Sequence, residues 1–242
     1  QARKVLDEMK ALRSIAQNLR GEEDTRLRFA ACVTVGERLL PEWLWQFKNR
    51  TPNAVPMVFM GNDPAVLAVI KSGEMPIGIV AGDYACEDFE STTILEDELV
   101  VVVAPDHPWA QRRVGPEDLS GGSFIAREHG SALRTVVEQT LKDIGDISLN
   151  VQMELGSNTA VKEAIESGAG FSILSRADVK RKLEAGKLVQ VEGLSVPWSF
   201  KLLRHPTASL SSIENDFYEF ILSMCNQEDT EPVKPLVGSL RG

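Results

Sequence analysis

The sequence predicts an α/β protein built from two lobes. Short apolar strands alternate with amphipathic helices in two separate series along the 242 residues. Alternation of this kind is typical of right-handed βαβ units in a mostly parallel sheet. The two series meet at the run DELVVVVAPDHPWA (97–110), whose proline-punctuated end suggests a crossover. The chain is expected to cross back near 203–206, so the predicted fold is α/β with two Rossmann-like lobes joined by two crossover strands.

The first element is a predicted amphipathic helix over residues 2–20. Its apolar residues alternate at spacings of four and three, which is a heptad seam formed by Val5, Met9, Leu12, Ala16 and Leu19. Gly21 suits the end of this helix, and GEEDTR (21–26) reads as a short polar linker. We therefore expect residues 1–21 to form a linker or dimerisation helix. A helix packed on its own domain is the alternative.

The first α/β series follows this linker. The pattern predicts strands over 27–33, 54–61 and 77–82, with helices over 36–50 and 63–73 between them. Asp63 is the predicted N-cap of the second helix, and Pro64 suits its first position. Residues 26–104 are expected to form lobe I together with the final helix in 205–225.

The second series supplies lobe II over 105–204. Strands are predicted over 123–126, 147–155, 171–174, 187–192 and 199–205, and helices over 131–144, 159–168 and 176–185. A last helix over 210–225 returns to lobe I. The Pro-containing segment 226–242 is expected to be a loose tail.

Composition limits the possible functions. The formal charge of −9 makes the chain a poor polyanion binder, and no basic patch suited to nucleic acid is visible. The apolar runs are too short to span a bilayer, and no secretory leader begins the chain. Cys32, Cys86 and Cys225 are odd in number and widely spaced, which favours a reducing compartment. We expect a cytoplasmic protein with no membrane partner.

Several ordered segments carry a family resemblance. They are LRFAACVTVGERLLPEWLWQFKNRTP, GN at 61–62, VVVVAPDHPWA, REHGSALR and GSNTAVKEAIESGAGFSILSR. Together they resemble the effector-binding region of a LysR-type transcriptional regulator, with the linker helix kept and the helix-turn-helix absent. The match looks most like the subgroup that controls carbon-fixation and sulfur-assimilation genes, whose effectors tend to be small anions or phosphorylated metabolites. The resemblance implies a type 2 periplasmic-binding-protein-like fold, a homodimer or homotetramer, and DNA contact only through the missing N-terminal domain.

The segment GSNT (156–159) is the leading candidate for effector binding. It follows a predicted strand and opens a helix, where unpaired backbone N–H groups and the helix dipole favour an anion. Ser157, Asn158 and Thr159 add uncharged hydrogen-bonding side chains. Plain N-capping by Ser157 or Asn158, with no ligand, is the alternative.

Further candidates lie at other predicted strand ends. In lobe I these are Thr34, Val35, Gly36 and Asn62; in the family pattern Thr34 corresponds to a hydroxyl that commonly contacts effector. Their alternatives are an N-cap for Thr34 and a turn residue for Asn62. In lobe II, Arg127 and Ser131 could meet an anion across the cleft between the lobes, as could Arg134, for which a solvated surface role is the alternative. Ser175 and Arg176 rank below these.

Catalysis has no positive support in the sequence. The spacing of His107, His129 and His205 does not suit metal ligation, and neither a nucleophile elbow nor a P-loop occurs. We therefore predict no catalytic residue, metal or cofactor. An extracytoplasmic solute-binding protein of the same two-lobed fold is the alternative function, with an enzyme on this fold third. The heptad helix before the first strand favours the regulator.

Overall fold

The protein is described by a computed structural model that covers residues 25–82 and 88–225. The predicted heptad helix and the tail from 226 lie outside the described residues. The helices are α1 (Val33–Arg38), α2 (Leu40–Arg50), α3 (Asp63–Lys71), α4 (Pro116–Leu119), α5 (Ala132–Gly145), α6 (Asn158–Glu166), α7 (Arg176–Glu184) and α8 (Ser212–Cys225). The strands are β1 (Arg26–Cys32), β2 (Val55–Gly61), β3 (Ile77–Ala81), β4 (Glu90–Val103), β5 (Ser123–Arg127), β6 (Asn150–Leu155), β7 (Phe171–Ser175) and β8 (Val189–Arg204).

The described strands hydrogen-bond in the order β2-β1-β3-β8-β4-β7-β5-β6. β1 runs parallel to β2, with Arg26 opposite Val55, and parallel to β3. β5 runs parallel to β6 and β7, whereas β4 is antiparallel to β7 with Leu99 opposite Ser175. The antiparallel pairing makes this a mixed sheet, whereas the alternating pattern predicted a mostly parallel one. The helices between the parallel strands agree with the predicted α/β class.

The chain forms two compact units. Among the described residues, unit 1 takes in 25–80, 88–94 and 201–225, and unit 2 takes in 81–82 and 95–200. β4 and β8 therefore each contribute to both units.

Unit 1 is built around an aromatic cluster between α8, α2 and β1. The ring of Phe217 lies 5.1 Å from Phe29 and 5.0 Å from Phe47, both edge-on, and Phe220 lies 5.6 Å from Phe47. Phe217, Phe220 and Ile221 are buried at spacings of three and four, so α8 presents one apolar stripe to β1. This packing holds the C-terminal helix on unit 1.

Unit 2 has its own core under the parallel strands. Phe171 of β7 contacts Trp109 at 4.8 Å and Phe124 of β5 at 5.3 Å between ring centroids. The residue before β7 must be a glycine, because β7 pairs with β5 and the two backbones approach closely there. Gly170 has φ +146, and a Cβ there would lie 2.1 Å from the carbonyl oxygen of Ser123.

Two helix starts differ from the sequence prediction. The helix expected over 36–50 begins at Val33 and is interrupted at Leu39. Pro41 explains the interruption, because its ring would clash with the carbonyl four residues earlier in a continuous helix. The predicted N-cap Asp63 is wrong, since Asn62 holds that position and accepts a hydrogen bond from the Ala65 N–H at 3.1 Å.

The strand predictions were wrong in two places. The segments predicted at 187–192 and 199–205 form one strand, β8, which continues through Pro197. Proline has no backbone N–H to donate to a neighbouring strand. β3 ends near Pro197, where the N–H of Gly82 donates to the Ser199 carbonyl at 2.8 Å, so β3 does not require a hydrogen bond from Pro197. β4 begins at Glu90, well before the predicted apolar run, and the short helix α4 was not predicted.

Candidate functional site

Three parallel strands of unit 2 end at one edge of the sheet. β5 ends at Arg127, β6 at Leu155 and β7 at Ser175, and each strand leads into a helix. The carboxyl ends of such strands, beside the helix N-termini that follow, are where ligands bind in open α/β sheets. We call the starts of α5 and α6, together with Arg127, the unit 2 edge.

The start of α6 contains the segment GSNT. Ser157 is the N-cap, and its Oγ accepts a hydrogen bond from the Ala160 N–H at 3.1 Å. The predicted capping role of Ser157 is therefore confirmed. A hydroxyl that accepts in this way still has its own proton to donate, so capping and ligand binding are compatible. Asn158 is the first residue of the helix and is fully buried, whereas Thr159 is exposed.

Arg127 is brought directly to this helix start. Its side chain is only 3% exposed, and Nη1 donates to Oδ1 of Asn158. Nε and Nη2 both donate to the neighbouring carboxylate of Glu128, at 2.7 and 2.9 Å. The structure therefore joins two of the predicted site residues, Arg127 and Asn158, and adds Glu128, which sequence reasoning missed although it lies in the REHGSALR segment.

Arg134 braces the same edge from α5. The alternative of a solvated surface role for Arg134 is wrong, because the residue is 8% exposed and donates to the Arg127 carbonyl at 2.9 Å. It also donates to Glu154 at 2.6 Å and to Glu138 at 2.8 Å. Burial opposes the charge of Arg134, but these hydrogen bonds raise its pKa above the ordinary value, and the bond from Arg134 lowers the pKa of Glu154. Arg134 thus ties α5 to the ends of β5 and β6.

Ser131 lies at the start of α5, where the sequence placed it. It is buried and occupies the N-cap position, yet its side chain makes no capping hydrogen bond. Its hydroxyl is therefore not committed to the helix backbone in the way that the hydroxyl of Ser157 is.

The start of α7 is occupied by a carboxylate of the same chain. Asp97 accepts hydrogen bonds from the Ser175 hydroxyl and, at 3.3 Å, from the Ala177 N–H. Burial raises the pKa of Asp97, against the effect of these bonds. Arg176 pairs with Glu98 at 2.8 Å. An internal anion thus fills this helix N-terminus, while the starts of α5 and α6 remain the candidate site in unit 2.

The unit 1 candidates lie on α1 and before α3. Thr34, Val35 and Gly36 are buried inside α1, so the alternative of an N-cap role for Thr34 is wrong: Cys32 is the N-cap, with no side-chain cap bond. Gly36 packs on β2, because a Cβ there would lie 2.7 Å from Sδ of Met60. Asn62 caps α3 rather than serving only as a turn residue. The predicted approach of these residues to Ser157 stays a prediction.

The described residues contain neither a cluster of metal ligands nor a membrane-spanning helix. Among residues 25–82 and 88–225, no three or more His, Cys, Asp or Glu residues are grouped as a metal site would require. In the same part of the chain, no helix is both long and apolar enough to cross a membrane.

Curated relatives are transcriptional regulators. A probable RuBisCO transcriptional regulator from Cyanophora paradoxa is 29% identical over 226 residues, which cover 90% of this chain and 70% of the relative. The uncharacterized HTH-type transcriptional regulator YeiE of Escherichia coli K12 is 32% identical, covering 70% of this chain and 58% of the relative. The chain thus spans only part of these regulators.

Solved regulatory domains have the same fold. The CcmR regulatory domain from Synechocystis PCC6803, in complex with 2-PG, is 26% identical with a TM-score of 0.76, covering 84% of this chain and 98% of that domain. The effector-binding domain of QuiR in complex with shikimate has a TM-score of 0.70 at 18% identity, covering 84% and 98%. This likeness confirms the predicted fold class. Since the model of the LysR substrate binding domain also matches residues 20–226, the chain belongs to the LysR family of transcriptional regulators and is an effector-binding regulatory domain.

Proposed function

We propose that this domain senses a small anionic metabolite and thereby controls DNA binding by a separate helix-turn-helix domain of a cytoplasmic regulator. The anion would bind at the unit 2 edge, in contact with Arg127, Ser131, Ser157, Asn158 and Thr159. The observation that carries this proposal is the buried Arg127 guanidinium, hydrogen-bonded to the first residue of α6.

The chemistry of this edge suits an oxyanion. A guanidinium makes charge-assisted hydrogen bonds to carboxylate, sulfate or phosphate oxygens, and these bonds are stronger than neutral ones. The starts of α5 and α6 add the partial positive charge of two helix dipoles. The Ser157 hydroxyl can donate to an oxygen while it caps the helix. No metal ion is needed for such a site.

The similar proteins support a small-molecule effector. The CcmR domain was solved with 2-PG and the QuiR domain with shikimate. A ligand that prefers one arrangement of the protein shifts the population toward it, and this differential affinity is what a sensor transmits. Thr34, Val35, Gly36 and Asn62 are the residues of unit 1 that we propose take part.

Calorimetry on the 242-residue chain tests the proposal. Sulfate, sulfite, phosphate and small carboxylates are titrated into wild type, Ser157→Ala and Thr34→Ala. A hydrogen bond to a charged group contributes about 1.5–3 kcal/mol, so each substitution should weaken binding about ten- to hundredfold. Loss of the Ser157 cap costs only about 1 kcal/mol, so that variant should stay folded.

Ser167→Ala is the matched control. Ser167 is exposed at the opposite end of α6, where its hydroxyl donates to the Glu163 carbonyl at 2.9 Å. Its replacement should leave anion affinity unchanged. If an anion binds and neither Ser157→Ala nor Thr34→Ala alters its affinity, the site lies elsewhere and GSNT is only a capped helix start.

We also propose that the chain forms a homodimer or homotetramer. β2 and β6 are the terminal strands of the described sheet, and both carry exposed apolar side chains. These are Val55, Met57 and Met60 on β2 and Val151 and Met153 on β6, each at least 41% exposed. Exposed apolar edge strands associate readily, so a second copy of the chain is the proposed partner.

A further inference from the structure

Glu128, the counter-ion of Arg127, is the more exposed of the two residues that accept hydrogen bonds from the Arg127 side chain. Glu128 binds Nε and Nη2 in a two-point fork, yet its side chain is 28% exposed while that of Arg127 is 3% exposed. Asn158, the other acceptor, is fully buried at the first turn of α6. Of these two acceptors, only Glu128 has a path to solvent.

Glu128 lies in the connection between β5 and α5. Glu128 follows the last residue of β5 and precedes α5, so it belongs to neither element. Gly130 in the same connection has φ +90, which is a conformation that glycine adopts without strain. Because Glu128 lies outside β5, its side chain can rotate without breaking a backbone hydrogen bond of that strand.

Arg127 also has unused hydrogen-bonding capacity. A guanidinium carries five N–H groups. Hydrogen bonds to the described residues account for three of them, with Glu128 and Asn158 as the acceptors. Buried donors normally find partners, so further acceptor oxygens would be favourable at this position.

The charges at the unit 2 edge disfavour an added anion while Glu128 stays bound to Arg127. Two guanidinium groups at this edge face three carboxylates, which belong to Glu128, Glu138 and Glu154. Glu138 and Glu154 are held by Arg134, which braces the fold. An added anion would therefore meet net negative charge unless Glu128 withdraws.

We propose that Glu128 is a displaceable stand-in for the effector: the anionic group of the effector replaces the Glu128 carboxylate on Arg127, and Glu128 turns to solvent. This inference rests on the proposed function. Competition with a built-in carboxylate would reject weak monocarboxylates and admit oxyanions that fill more of the N–H groups. Glu128 would thus set both the affinity and the selectivity of the site.

The test compares inorganic sulfate with acetate, titrated by calorimetry into the full chain at constant ionic strength. Glu128→Gln keeps the size of the side chain but makes a weaker, uncharged acceptor. It should raise sulfate affinity about tenfold and reduce the preference for sulfate over acetate. Glu163→Gln is the control, because it removes the same charge from an exposed position on α6 and should change sulfate affinity less than about twofold.

Glu128→Asp is a second variant that tests the displacement even if Glu128→Gln does not fold. Its shorter side chain keeps the charge but loses the two-point fork, so sulfate affinity should again rise, by a smaller factor. Unchanged or weaker sulfate binding in both Glu128 variants would overturn the displacement, while a loss in Ser157→Ala would leave the anion site standing. If no anion binds wild type or any variant, the anion site and the displacement both fail.

Discussion

The ion pair between α6 and α7 should be essential for the stability of unit 2. Lys162 Nζ lies 2.6 Å from Oδ1 of Asp178, and the side chains are 12% and 2% exposed. The pair joins the helix that starts at the candidate site to the next helix along the chain. The decisive perturbation is Lys162→Met, which keeps the length of the aliphatic stem and removes the charge.

The magnitude follows from the burial of Asp178. The Asp178 side chain is only 2% exposed, so little water can replace Lys162 there. Removing one partner of a buried ion pair costs about 3–5 kcal/mol.

Urea unfolding followed by circular dichroism measures this loss. Lys162→Met should lose about 3–5 kcal/mol of unfolding free energy at pH 7. Lys180→Met on the exposed face of α7 makes the same charge change and should cost less than about 0.5 kcal/mol. A loss below about 1 kcal/mol at pH 7 would contradict this expectation, because it would mean that water already solvates Asp178.

Three further outcomes are expected. Glu214→Ala should destabilise the fold by about 2–3 kcal/mol in urea unfolding, because the buried Glu214 carboxylate docks α8 on β1 through Arg28 at 2.8 Å; an unchanged midpoint would contradict this. Burial raises the folded-state pKa of Asp97, so its contribution to stability is fully present below the ordinary value of 3.8 and is lost as pH rises through the raised pKa. Relative to Asp97→Asn, wild type should therefore lose unfolding free energy over this window, and parallel curves would refute the assignment. In light scattering, the joint change of Met9 and Leu12 to Asp should reduce the assembly, whereas a wild-type monomer at high micromolar concentration would count against self-association.

Local sequence patterns predicted much of the fold because they depend on near neighbours. The apolar runs of β1, β5 and β7 and the cap of α6 were visible in short windows, since a strand or a cap involves residues a few positions apart. The same windows failed at β8, where Gly193 and Pro197 are common loop residues. There the neighbouring strands, not the local propensities, decided the structure.

The candidate site was also predicted in part from local sequence and decided in part by the tertiary structure. The sequence by itself determined that Arg127 ends a strand and that Ser131 and Ser157 begin helices, and therefore that they lie at one edge of a parallel sheet. Only the tertiary structure decided which of these groups are buried and how each charge is paired. Arg134 is a brace because Glu154 reaches it from another strand, and Asp97 fills the start of α7 from 78 residues away. Such pairings depend on which distant residues the packed chain brings within hydrogen-bonding distance, and no periodicity along the sequence records that distance.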